Sequence, residues 1–186
     1  MTVSDIIKKA ATLINLKNVS EYLGGGVVNA DEETLATVSK MTSLTNLVLN
    51  ELSVSYVPMK TTERKIVTDG KVMFSSLTKT PYKILDVFDA YGEKVFYTLY
   101  PTYIKTKENE VDIVYAYVPT SYGLSDVVGY SETEVSSRLI AYAVLAEYML
   151  TVSAFDEAIM WRKRFTSELE ESVCPTSKNM RRRSFI

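Results

Sequence analysis

Four cations stand close together near one end of the sequence: Lys178, Arg181, Arg182 and Arg183, with no acid among residues 178–186. Guanidinium groups pair bidentately with carboxylates and phosphates, so this stretch is equipped to hold an anionic surface. Phe185 and Ile186 follow directly and supply apolar anchors. Two uses are open. An extended segment can add itself to a partner's sheet edge while its arginines pair carboxylates, or the same charges can contact nucleic-acid phosphates. A chain with a net charge of −2 favours the first use. Residues 174–186 span up to ~43 Å when extended, enough to leave their own domain and lie along a neighbour.

Other chemistry is sparse. The chain has no histidine, which excludes imidazole acid–base catalysis, Ser-His triads and His-ligated zinc. Cys174 is the single cysteine, so an intrachain disulfide is impossible and a reducing compartment is expected. It stands beside Pro175 with no histidine base, and reads as incidental. The acids gather at helix starts (Asp31, Glu32 and Glu33; Glu132 and Glu134) and on one polar helix face (Glu168, Glu170 and Glu171), as capping and solvation require. Gly24-Gly25-Gly26 is followed by Val27-Val28 rather than by Gly-Lys-Ser/Thr, so it is a turn and not a phosphate-binding loop. No catalytic, cofactor-binding or metal-ligating residue is expected, and the chain is not read as an enzyme.

The elements that would position the basic segment follow from periodicity. Ile6, Ile7, Ala10, Leu13 and Ile14 form one stripe of a helix over 4–16, with Ser4 as its cap. One more turn is expected over 18–23 before the glycines. A second helix over 31–53 carries Leu35, Val38, Thr42, Thr45, Val48 or Leu49, and Leu52. From about 54 to 119 the period changes to that of strands. Asp69-Gly70 is a two-residue hairpin signal, Tyr91-Gly92 a further turn, and Pro58, Pro81, Pro101 and Pro119 fall at segment edges. Tyr82–Phe88, Val95–Tyr100, Tyr103–Lys105 and Val111–Val118 read as strands of an antiparallel meander of five or six.

Helix resumes over 131–171. Ser131 and Glu134 form a capping box, and Ser153 with Asp156 signals a second start. Val135, Leu139, Tyr142, Ala143, Ala146, Met149 and Leu150 make the first stripe; Phe155, Ala158, Ile159, Arg162, Phe165 and Leu169 make the second. Pro175 ends the helix. The fold class is thus α+β: a bundle of about four main helices with an inserted meander, one domain over 1–173, and an extended basic arm over 174–186. The arm carries +4 and the remainder −6. Thirteen tyrosines give the chain more amphipathic surface than a core needs. Tyr97, Tyr100, Tyr103, Tyr115 and Tyr117 on the strand block are candidate subunit contacts. No repeat, secretory leader or membrane span is read from the sequence.

Pro81–Val87 with Gly92, then Tyr100–Lys105 and Val111–Pro119, resemble small virion proteins of tailed bacteriophages. So do the helical stretches Arg138–Tyr142, Ala146–Tyr148 and Phe155–Phe165. The arrangement is similar to the head–tail connector adaptor family, over roughly residues 4–172. That resemblance implies a structural ring, commonly of twelve copies, beneath the portal at the capsid vertex, with DNA passing through its lumen. It implies a helical ring wall, a projecting β insertion, and a C-terminal arm docked on the portal through Lys178, Arg181, Arg182, Arg183, Phe185 and Ile186. Partners are then the chain itself, the portal protein, downstream tail or neck proteins, and DNA in the lumen without sequence-specific binding, with no membrane. Its place is the virion, at the capsid–tail junction, after synthesis in the host cytoplasm. A tail-completion or stopper neck protein is a near alternative, and a DNA-binding packaging protein using the basic arm a further one.

Overall fold

The structure is a computed structural model that describes residues 1–26 and 29–173. The basic arm lies outside the described residues, and with it the docking roles expected of Lys178, Arg181, Arg182, Arg183, Phe185 and Ile186. The fold is mixed α+β, with five helices and two three-stranded antiparallel sheets among the described residues. Two compact units divide it. One takes Met1–Leu49 with the described residues from Ser121 onward; the other takes Asn50–Thr120.

The helical unit opens with α1 (Val3–Leu13) and α2 (Lys17–Leu23). Thr2, not Ser4, caps α1: its side chain accepts from the Asp5 amide while the Asp5 carboxylate accepts from the Thr2 amide. The helix ends three residues earlier than periodicity predicts, because Asn15 turns left-handed at φ 59°. α3 (Glu32–Ser55) follows, its residues from Asn50 on belonging to the other unit, with Asp31 accepting from the Thr34 amide at 3.1 Å. Thr34, Val38, Met41, Thr45, Val48, Leu49, Leu52 and Ser53 are its buried residues, while Leu35 stays exposed. Thr45 is tolerated inside because its hydroxyl donates to the Met41 carbonyl at 2.8 Å.

The two remaining helices are α4 (Ser137–Thr151) and α5 (Phe155–Val173). The Ser131–Glu134 capping box forms its hydrogen bonds, but it closes an isolated turn. Ser136 is the true cap of α4, accepting from the Leu139 amide at 3.0 Å. α4 lies against both α1 and α5, so Leu139, Ile140, Ala141, Ala143, Val144, Leu145 and Ala146 are all buried. A single stripe was expected; a helix covered on two sides needs apolar residues around most of its circumference. α5 buries Ala158, Trp161, Phe165 and Leu169, whereas Phe155 and Ile159 of the expected stripe are exposed. Ser153, at φ 60°, separates the two helices. Arg138 to Glu168 and Arg162 to Glu147, each at 3.2 Å, tie α4 to α5.

The strand unit contains β1 (Lys60–Ile66), β2 (Lys71–Met73), β3 (Pro81–Phe88), β4 (Thr98–Leu99), β5 (Tyr103–Lys105) and β6 (Glu110–Tyr117). Their order is β1-β6-β3 in one sheet and β2-β5-β4 in the other, so the expected meander is corrected. Asp69 and Gly70 do form the predicted turn, with φ of 52° and 71°. Thr68 and Lys71 exchange both backbone hydrogen bonds across it. Beyond that bridge the strands part: β1 pairs with β6 and β2 with β5. Val95–Tyr100, expected as a full strand, is regular only over β4.

One face of the larger sheet carries Val111, Ile113 and Tyr115, all fully buried, with Val87 beside them. Glu63 lies directly opposite Ile113 on that face. A carboxylate there needs partners. It receives the Thr78 amide at 3.0 Å, the Thr78 hydroxyl at 3.1 Å, the Lys65 ammonium at 3.0 Å, and a hydrogen bond from the Tyr115 hydroxyl. The cluster fastens residues 76–79 onto the β1–β6 pair, since Lys65 also donates to the Ser76 carbonyl and the Lys79 amide donates to Tyr115. On the opposite face Arg64 forms a bidentate pair with Asp112, both bonds 2.8 Å.

Candidate functional site

Two titratable groups held well away from their ordinary values sit in the Glu63 cluster. Partial burial would push the Glu63 carboxyl up, but Tyr115, Lys65 and Thr78 outweigh it and hold the group at about 2. Burial first, and the bond to Glu63 second, push the Tyr115 hydroxyl up to about 12. A proton carrier works best with a pKa near the operating pH. Glu63 stays ionised and Tyr115 stays protonated through the neutral range, so the pair acts as a clamp.

The clamp gives a pH prediction. Glu63→Gln should cost about 2 kcal/mol at neutral pH, the range for a hydrogen bond to a charged group. A folded-state pKa of about 2 against an ordinary 4.5 means that stability is fully present above 4.5 and is lost as pH falls towards 2. Thermal melts between these values should therefore fall less steeply for Glu63→Gln than for the natural chain. Equal slopes would show that Glu63 titrates normally in the fold.

A second grouping of polar side chains lines an open groove of about 640 Å³ in the helical unit, formed by Asp5, Lys8, Lys9, Thr12, Glu132 and Ser137 among others. Its charges are internally matched. The Lys9 ammonium donates to the Ser137 hydroxyl and stands 4.0 Å from Glu132, and Glu132 accepts from the Ser137 amide and hydroxyl. Among the described residues, no three His, Cys, Asp or Glu side chains converge as metal ligands would.

The five tyrosines expected at subunit contacts separate into two groups. Tyr115 and Tyr117 are buried, with 0% and 4% of their surface exposed, and offer no contact surface. Tyr115 reaches Glu63, and the Tyr117 ring lies 3.7 Å beneath the Lys79 ammonium. The other three stay accessible around the β2-β5-β4 sheet. Tyr100 and Tyr103 stack at 4.5 Å with an interplanar angle of 14°. Tyr97 and Tyr100 line a cleft of about 470 Å³ with Phe96, Lys105 and Lys107. Phe96 is 99% exposed.

No protein-family model and no curated protein matches the chain. The surfaces themselves therefore carry the functional argument. Sequence reasoning missed two of them. By pattern Tyr91 belongs to a turn and Phe96 to a strand, yet both project almost wholly into solvent. At the start of α5, the spacing of Phe155 and Ile159 predicts a core position, yet both are exposed beside Val152, Asp156 and Glu157. The available signal was Trp161: it shares the α5 spacing of Ala158, Phe165 and Leu169, and a large ring competes for the buried face.

Charge is also unequally shared. The strand unit, residues 50–120, holds nine Lys and Arg against nine Asp and Glu. The described residues of the helical unit hold eight against fourteen, so the whole −6 of residues 1–173 resides there. No described helix is long and apolar enough to cross a membrane.

Proposed function

We propose that the chain is a structural subunit of a phage head–tail connector, an adaptor that forms a ring between portal and tail through which DNA passes. The observation that carries this reading is the chain organisation: a helical unit interrupted by an inserted strand unit over residues 50–120, the layout implied by the sequence resemblance to connector adaptors. In this reading the helices make the ring wall as a bundle, the strand unit is the projecting insertion, and residues 174–186 are the portal-docking arm. The protein acts by shape and adhesion and makes or breaks no bond. The concentration of negative charge in the helical unit supports it, because an anionic wall lets a polyanion slide past. The exposed aromatic surface on the strand unit supports it too, since interfaces are enriched in such residues.

The deciding measurement is particle mass, for the chain alone and with a portal protein. The reading expects a closed ring that joins the portal. A chain that remains a single subunit in both conditions overturns it. Removal of residues 174–186 should leave a domain with the natural melting temperature that no longer joins the portal. A truncated chain that still joins would take the arm out of the mechanism. If the arm instead contacts duplex DNA through four phosphates, affinity should fall with a slope of about −3.6 in log salt, and that result would favour the DNA-binding alternative.

A further inference from the structure

The β2-β5-β4 sheet presents two different faces. Val72 and Ile104 are buried on one side, at 3% and 0% exposure. Alternation places Lys71, Met73, Thr98, Tyr103 and Lys105 on the other, where Met73 is 45% exposed. In this register Lys71 lies directly opposite Lys105. Like charges directly opposite one another on a sheet face disfavour the pairing. Among the described residues no carboxylate pairs with either lysine; the Lys71 ammonium instead rests 5.1 Å above the Tyr103 ring, itself stacked on Tyr100. This cationic, aromatic face has no paired anion among the described residues.

The helical unit has a complementary surface. Val152, Phe155 and Ile159 are 47%, 61% and 68% exposed around the start of α5, and Asp156 and Glu157 stand exposed among them, paired with no cation among the described residues. The two acids suit the positive end of the helix dipole, which leaves their outward charge available. The apolar residues have no such local explanation.

We propose that the outer face of the β2-β5-β4 sheet, with Lys71 opposite Lys105 beside the stacked Tyr100 and Tyr103, docks on the α5 start of a second copy of the chain, around Phe155, Asp156, Glu157 and Ile159. Both charge and apolarity match across this contact, and the net −6 of the helical unit draws the neutral, locally cationic strand unit towards it. The contact is heterologous, joining different patches on the two copies, so its repetition generates a ring when the rotation closes. The inference rests on the self-association in the proposed function and names the surfaces that produce it.

Charge exchange tests it. Self-association of the full chain is followed by sedimentation velocity at low and at moderate salt. The double variant Lys71→Glu with Lys105→Glu should associate at least about tenfold more weakly, as should Asp156→Lys with Glu157→Lys. All four positions are exposed, and circular dichroism should show both variants folded. An equimolar mixture of the two variants should assemble again, because each then offers the other a face of opposite sign. A misfolded variant cannot be rescued in this way. If the natural chain assembles and neither charge reversal weakens it, or if the mixture fails where each variant is folded, the docking surfaces are wrong while the ring reading stands. If the natural chain never leaves the single-subunit state, both fall. Binding of a fluorescent oligodeoxythymidylate that is lost in Lys71→Glu with Lys105→Glu would assign this face to nucleic acid and overturn the proposal.

Discussion

Leu139→Asp should unfold the helical unit without denaturant. The side chain is 1% exposed on α4, a helix covered by α1 on one side and α5 on the other. An ionised carboxylate there would be buried, and the neighbouring cation on the same helix, Arg138, is already engaged with Glu168. Loss of the buried leucine contributes about 3 kcal/mol and the stranded polar group several more, against a total stability of about 5–15 kcal/mol for a domain of this kind. Phe165→Asp, at 3% exposure on the facing side of α5, should behave alike. Leu150→Asp is the control, one of the exposed positions on α4 and expected to shift stability by no more than about 0.5 kcal/mol. Far-ultraviolet circular dichroism with thermal melting separates the three. A cooperative melt at the natural temperature for Leu139→Asp would mean that the facing of α4 is wrong.

The same helices show how far sequence alone reaches. The bounds of α3 and the positions of β5 and β6 follow from periodicity to within a residue or two, because their signals are local and uninterrupted. Boundaries that depend on competing caps do not. Thr2 and Ser4 both suit the start of α1, and Asp5 decides between them by closing a box with the residue three positions earlier. Ser131 and Ser136 both suit the start of α4, and both are used, one for a turn and one for the helix. Which stripe of α5 is buried was also beyond local reading. Phe155-Ile159 and Ala158-Trp161-Phe165 each keep a helical spacing, and only the neighbour that α5 packs against selects the second.

Strand pairing was the least legible feature, and the reason is physical. Asp69-Gly70 dictates a tight reversal over four residues, but it cannot dictate what pairs beyond the bridge. β1 finds β6 more than forty positions along the chain, from Lys60 opposite Ala116 to Ile66 opposite Glu110. The polar cluster around Glu63 is invisible for the same reason, since Glu63, Thr78 and Tyr115 share a site only once that register is set. The sequence alone leaves Tyr115 as a candidate contact, because tyrosine suits both interface and core. In the fold its polar end meets Glu63, so its ring can be buried. Tyr100 and Tyr103, expected as contacts on the same reasoning, stack on the side of the strand unit that remains accessible.

Ile113→Ala should loosen the larger sheet as a whole. Ile113 is fully buried on β6, opposite Glu63 on one side and Val87 on the other. The truncation leaves a cavity that two flanking strands cannot both close, and an isoleucine removed from such a site costs about 2–5 kcal/mol. The central position of β6 sets the pattern of the damage. β1 and β3 pair with β6 and not with each other, so neither retains a ladder when β6 opens. Amide hydrogen exchange should therefore accelerate together in β1, β3 and β6, whereas Thr62→Ala, at an exposed position of β1, should leave all three within about 0.5 kcal/mol of the natural protein. Faster exchange in β1 alone would place the centre of that sheet elsewhere. It would also undermine the clamp, because the Glu63–Tyr115 bond spans the β1–β6 pair and holds only while that pair is intact.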